Sequence, residues 1–141
     1  APKGVSLTMV TSTLEDGNEA KLVMGIDDEP TILQFLRAIV GQAGHKFADA
    51  SSGEKALALA RQAKPDLVFL DVTMDGIDGY QTCRRLRAEI PDFTAPVIFL
   101  TARRSKEAVQ KAIDAGGNDF MIKPFQPRAV LERLARWLPE E

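Results

Sequence analysis

Four short apolar runs in this 141-residue sequence end on residues that could do chemistry together. Leu22-Val23-Met24-Gly25-Ile26 runs into Asp27-Asp28, and Leu67-Val68-Phe69-Leu70 into Asp71. Val97-Ile98-Phe99-Leu100 runs into Thr101, and Phe120-Met121-Ile122 into Lys123. If the runs are parallel strands of one open sheet, these residues share the edge where such sheets bind ligands. Three carboxylates, a hydroxyl and an ammonium then converge. Close carboxylates repel one another unless a proton or a cation intervenes. Oxygen-only ligands suit a hard cation such as Mg²⁺, which uses one or two carboxylates and keeps several waters. Beside that cation one acid can stay ionised and act as a nucleophile. Phosphoryl transfer needs mainly positioning and charge neutralisation, for which Lys123 offers a compact charge and Thr101 a donor. The set reads as a carboxylate that accepts phosphate.

Taken singly, each residue has a plainer role. Asp28 can cap a helix, Asp71 can sit in a turn, Thr101 can start a loop and Lys123 can be a solvated charge. Complementary chemistry at four strand ends is harder to explain that way.

The elements that must position these groups are legible from about Lys21 onward. After Asp28 or Glu29, Pro30 suits the first turn of a helix. Ile32, Phe35, Leu36, Ile39 and Val40 mark its apolar face, and Gly41 or Gly44 can end it. Lys46 to Ala50 is a weak strand candidate. Ser51 and Glu54 have capping-box spacing ahead of Ala56, Leu57, Leu59 and Ala60. Pro65 breaks that helix before the run into Asp71. Tyr80, Cys83, Leu86 and Ile90 mark a third helix. Ser105 can cap a fourth, carrying Val109, Ala112 and Ile113 and ended by Gly116-Gly117. Pro127 can open a fifth, with Val130, Leu131, Leu134, Trp137 and Leu138 on its apolar face. Strands and helices alternate strictly, which predicts an α/β fold: a parallel sheet covered on both faces, with right-handed crossovers.

Composition narrows the class. The length suits one domain, and 45% apolar with 27% charged residues argues against disorder throughout. A net charge of −2 gives no basic field for nucleic acid, so Arg84-Arg85 and Arg103-Arg104 read as solvated faces. One cysteine, Cys83, rules out an internal disulfide and fits a reducing compartment, and it reads as core. No run is long enough for a membrane span, and no leader resembles a signal peptide. Residues 1–20 read as an extension or linker ahead of a domain at 21–141. Residue 1 is Ala, which suggests a chain processed or cut from something longer. Val5 to Met9 could be the last strand of an upstream kinase domain. His45 reads as an ordinary surface histidine.

From about Lys21 to Leu138 the chain resembles a response-regulator receiver domain, the phosphoacceptor domain of two-component signalling. The carriers are the acidic pair in MGIDDEP, the segment PDLVFLDVTMDGIDGY, Thr101-Ala102 and Lys123-Pro124-Phe125. The resemblance implies a flavodoxin-like (βα)5 doubly wound sheet with strand order 2-1-3-4-5. It implies that Asp71 is phosphorylated and that Asp27, Asp28 and Asp71 hold Mg²⁺, with Asp28 more direct than Asp27 and a backbone carbonyl from Thr73. Lys123 would pair with the phosphoryl group, Thr101 would swing toward it, and Phe120 would turn inward as the switch. The Lys123–Pro124 bond would be cis. The implied donor is a histidine kinase or histidine phosphotransfer protein. The implied readout is a downstream protein met by the fourth helix, fifth strand and fifth helix, in the cytoplasm, with no direct contact to nucleic acid or membrane. Part of the Trp137 stripe could serve a homodimer. The domain could stand alone or belong to a hybrid histidine kinase.

Three positions depart from the family pattern. Asp75 stands where proline is usual, Gly25 interrupts the first strand where a branched residue is typical, and Phe120 lacks a tyrosine hydroxyl. Gly25 weakens the strand but leaves room for close packing. Arg103, two residues past Thr101, could influence how fast the phosphoryl group is lost. Two other functions compete with a switch that turns over no outside substrate. A haloacid-dehalogenase-type Mg²⁺ phosphatase also uses a nucleophilic Asp, but it wants a second Asp where Thr73 stands. A phosphorylation-independent adaptor would not need the acidic set.

Overall fold

The computed structural model describes residues 20–138. The extension expected at residues 1–20, including the strand candidate at Val5 to Met9, falls outside them but for Ala20. The elements are β1 (Leu22–Ile26), α1 (Pro30–Gln42), β2 (Lys46–Ala50), α2 (Gly53–Gln62), β3 (Leu67–Asp71), α3 (Gly79–Glu89), β4 (Val97–Thr101), α4 (Lys106–Asp114), β5 (Asp119–Ile122) and α5 (Pro127–Trp137). All strand pairs are parallel, and the order is β2-β1-β3-β4-β5, as the resemblance implied.

Side chains alternate across the sheet with the period of two that a strand imposes. Met24, Ile26, Val68, Leu70, Val97 and Phe99 pack with α2, α3 and α4. Val23, Leu67, Phe69, Ile98 and Leu100 pack with α1 and α5 on the other face. Central β3 and β4 are buried at every position, which is why both read as unbroken apolar runs. β2 is an edge strand with one buried residue, Ala50, which is why its signal was weak.

The helices differ from expectation in detail. The buried stripe of α1 is Leu33, Leu36, Ile39 and Val40, so Leu33 replaces the expected Ile32 at its centre; Ile32 and Phe35 flank it, half-buried. Glu29, not Asp28, precedes α1, and no side chain caps the helix. α2 is capped by Ser52, whose side chain accepts from the Lys55 N–H, rather than by Ser51. Asp78 and Gln81 form a capping box at α3 that spacing alone had not singled out. Ile113 (59% exposed) and Leu131 (44%) face outward, because only one narrow stripe of α4 and of α5 meets the sheet. Ser105 caps α4 and Pro127 opens α5 as expected. Cys83 is fully buried, and burial pushes its thiol pKa up. His45 Nδ1 accepts the Lys21 N–H, a structural bond where β1 begins. No helix among the described residues is long and apolar enough to cross a membrane.

Candidate functional site

The sheet places β1 between β2 and β3, so the chain winds away in opposite directions from the β1–β3 junction. Carboxyl ends diverge at such a junction and leave a crevice. Asp27 follows β1 there, and Asp71 closes β3. Both are buried, with Asp27 at 0% exposure and Asp71 at 4%. Asp28 is exposed at the rim. One carboxylate oxygen from each of the three lies within 4.8 Å of the others. Backbone groups fix the buried pair: the Glu29 N–H donates to Asp27 Oδ1 at 2.9 Å, and the Thr73 N–H points at the Asp71 carboxylate.

Lys123 enters from the far side of the sheet. Its N–H donates to the Thr101 carbonyl at 2.8 Å, continuing the β4–β5 ladder past Ile122, and the following bond to Pro124 is cis. Its ammonium then lies 3.0 Å from Asp27 Oδ2, 3.1 Å from Glu29 Oε1 and 3.2 Å from Asp71 Oδ1. The Glu29 and Asp71 contacts are hydrogen bonds, whereas the Asp27 approach is an ion pair that leaves buried Oδ2 without a hydrogen bond. Burial raises the Asp71 pKa to about 6 from an ordinary 3.8, helped by the Asp27 charge and opposed by Lys123. Burial alone would lower the Lys123 pKa, but contacts with Asp27 and Glu29 and the Asp71 charge hold it above its ordinary value.

Thr101 is buried at the end of β4, where its Oγ1 accepts the Arg103 N–H at 3.0 Å. Phe120 is half-buried on β5 and shares a narrow gap with Thr101, Val72, Tyr80, Phe99 and Val109. Larger concavities lie elsewhere, including one of about 400 Å³ lined by Lys64, Pro91 and Trp137 where β3 and β4 begin. A small anion and a cation need no deep cavity, so the shallow acidic crevice remains the site on chemistry.

The fold thus gathers Asp27, Asp28, Asp71, Thr73 and Lys123, with Thr101 and Phe120 beside them. Sequence reasoning missed Glu29. Its only signal was a third consecutive acid in the run Asp27-Asp28-Glu29, read there as the acidic start of a helix. The site can hold a metal on three acidic oxygens, and buried Asp27 Oδ2 has the Lys123 ion pair but no hydrogen bond.

Comparison with known proteins agrees. The model of the response regulator receiver domain matches residues 23–135. The chain is 38% identical over 109 residues to the transcriptional regulatory protein AfsQ1 of Streptomyces coelicolor, covering 77% of this chain and 47% of that one. It is 33% identical to the transcriptional regulatory protein ResD of Bacillus subtilis, covering 86% and 49%. The chain therefore spans about half the length of the curated relatives it matches. Among solved structures it superposes on the chemotaxis protein CheY4 of Vibrio cholerae with a TM-score of 0.78 at 29% identity, covering 84% and 99%. It also superposes on the receiver domain of a signal transduction histidine kinase from Syntrophus aciditrophicus with a TM-score of 0.75 at 30% identity, covering 83% and 89%. Neither the phosphatase nor the adaptor alternative finds support among these relatives. A five-stranded fold in this order, an acidic crevice facing one lysine and a family match across most of its length place this chain in the response regulator receiver domain family.

Proposed function

We propose that this chain is a phosphorylation-activated switch in which Asp71 accepts a phosphoryl group from the phosphohistidine of a histidine kinase or histidine phosphotransfer protein. The observation that carries the reading is the meeting of Asp27, Asp28 and Asp71 within 4.8 Å, with the Lys123 ammonium 3.2 Å from Asp71. Asp27, Asp28 and Asp71, with the Thr73 carbonyl, would hold Mg²⁺, which when bound supplies charge that offsets the carboxylates and the phosphoryl oxygens.

The chain's own residues do the rest. With a pKa of about 6, Asp71 is mostly ionised near neutral pH, and its oxygen attacks phosphorus as the bond to the donor imidazole breaks. Lys123 sits where a phosphoryl oxygen would replace one of its carboxylate contacts. Thr101 gives up its local contact with Arg103 to donate to the phosphoryl group, and Phe120 moves into the space this vacates. Because Phe120 carries no hydroxyl, that movement is steric only. The added charge, about −1.5 to −2, biases a two-state face made by α4, β5 and α5, which meets a downstream protein or a second copy.

In this reading residues 21–141 form the receiver and residues 1–20 an extension. The chain works in the cytoplasm without direct contact to nucleic acid or membrane. It catalyses only its own phosphorylation and dephosphorylation. Incubation with acetyl phosphate and Mg²⁺ should add one phosphoryl group at Asp71, and Asp71→Asn should abolish it. Mass-spectrometric labelling that persists in that variant refutes the assignment, and sustained turnover of para-nitrophenyl phosphate would favour the phosphatase reading.

A further inference from the structure

A lysine ammonium carries three N–H donors. The Lys123 ammonium has three carboxylate oxygens within 3.2 Å, from Asp27, Glu29 and Asp71. Hydrogen bonds to Glu29 and Asp71 take two of these donors and Asp27 Oδ2 crowds the ammonium at 3.0 Å, so a phosphoryl oxygen competes with all three for a place there, and one gives way. The three are not equally free to do so. The side chains of Asp27 and Asp71 are 0% and 6% exposed, whereas that of Glu29 is 59% exposed. A carboxylate already bathed in water loses least on release. Although Glu29 precedes the first residue of α1, its side chain makes no capping bond to the helix. It accepts instead from the Lys123 ammonium, 94 residues away in sequence.

We propose that Glu29 is a positioning residue that occupies a donor of Lys123 until a phosphoryl group displaces it. The inference rests on Asp71 being the phosphoacceptor. Glu29 then acts as a built-in competitor: each phosphorylation breaks its pair with Lys123. Breaking that pair weakens the phosphorylated state, and the cost disappears with the carboxylate. The competition also ties site occupancy to the start of α1.

The test is titration with beryllofluoride, a phosphoryl mimic, at saturating Mg²⁺, read by calorimetry. Glu29→Ala should tighten binding about two- to fivefold, the range expected for losing one exposed ion pair. Glu29→Gln, which keeps a neutral acceptor, should fall between Glu29→Ala and the unsubstituted chain. In a Lys123→Ala background the Glu29→Ala change should disappear, because competition needs the ammonium. A merely structural role at the start of α1 would persist in that background and overturn the inference, as would unchanged affinity in Glu29→Ala. The ¹⁵N resonance of the Lys123 ammonium gives a readout independent of the mimic: it should shift in Glu29→Ala, and indifference to that change also overturns the inference. Loss of both Asp71 labelling and beryllofluoride binding in the unsubstituted chain would instead refute the phosphoacceptor reading.

Discussion

The ring of Phe47 occupies the space that a side chain on Gly25 would need: a Cβ there would lie 2.5 Å from Phe47 Cζ and 3.4 Å from Leu33 Cδ2. Gly25 and Asp49 face each other across the β1–β2 pairing, and Phe47 lies two residues along β2 on the same face. Arg37 of α1 stacks on the ring at 5.1 Å and pairs with Asp49 at 2.6 Å. The missing side chain in β1 is thus filled from the edge strand. Gly25→Val should destabilise the domain by about 1–3 kcal/mol through overpacking. In a Phe47→Ala background the same change should cost far less, a coupling that urea denaturation of the four variants measures.

The raised pKa of Asp71 makes a signed prediction for the metal-free protein. An acid whose pKa is higher folded than unfolded contributes stability below the unfolded value, here near 3.8, and loses it as pH rises through the folded value, about 6. Relative to Asp71→Asn, the unsubstituted chain should lose about 2 kcal/mol between pH 4 and 7. Saturating Mg²⁺ should reverse the trend, because the cation needs the ionised form. Denaturant midpoints across that range, with and without Mg²⁺, check both signs.

Asp75 is exposed in the loop after β3, next to Gly76 at φ 80°. It puts one more acid in the loop that follows Asp71. Asp75→Pro should lower Mg²⁺ affinity about two- to threefold, the scale of one screened surface charge. A calorimetric Mg²⁺ titration that does not move would show that Asp75 leaves the cation untouched.

Arg87 of α3 stitches the opposite end of the sheet. Its guanidinium donates to the Ala95 carbonyl at 2.7 Å, the Gly116 carbonyl at 2.9 Å and Asn118 Oδ1 at 2.9 Å, and it stacks on Phe93 at 5.4 Å. Those groups precede β4, end α4 and precede β5. Arg87→Ala should cost about 2–4 kcal/mol, since three acceptors lose charge-assisted donors at once. Arg87→Lys should recover only part of it, because one ammonium cannot reproduce the fork. Thermal denaturation of the two variants separates the outcomes.

Local pattern carried much of this protein. Continuous apolar runs are readable because β3 and β4 are buried on both faces, and glycine, proline and capping signals divide the helices between them. The residues ending each run could be named as site candidates because a strand's last residue must project from the sheet's carboxyl edge whatever the neighbours are. Tertiary structure decided everything that depends on who the neighbours are. No pattern within the strands places β1 between β2 and β3; that order came from family resemblance, and it is what sets Asp27 beside Asp71. The rotation of α1 that buries Leu33, and the outward turn of Ile113 and Leu131, follow from how each helix rolls on the sheet. So do the filling of Gly25 by Phe47 and the arrival of Glu29 at an ammonium 94 positions away. Charge and burial are sums over space rather than along the chain, so only the packed molecule could lift Asp71 toward a pKa of about 6 and set three acids around one lysine.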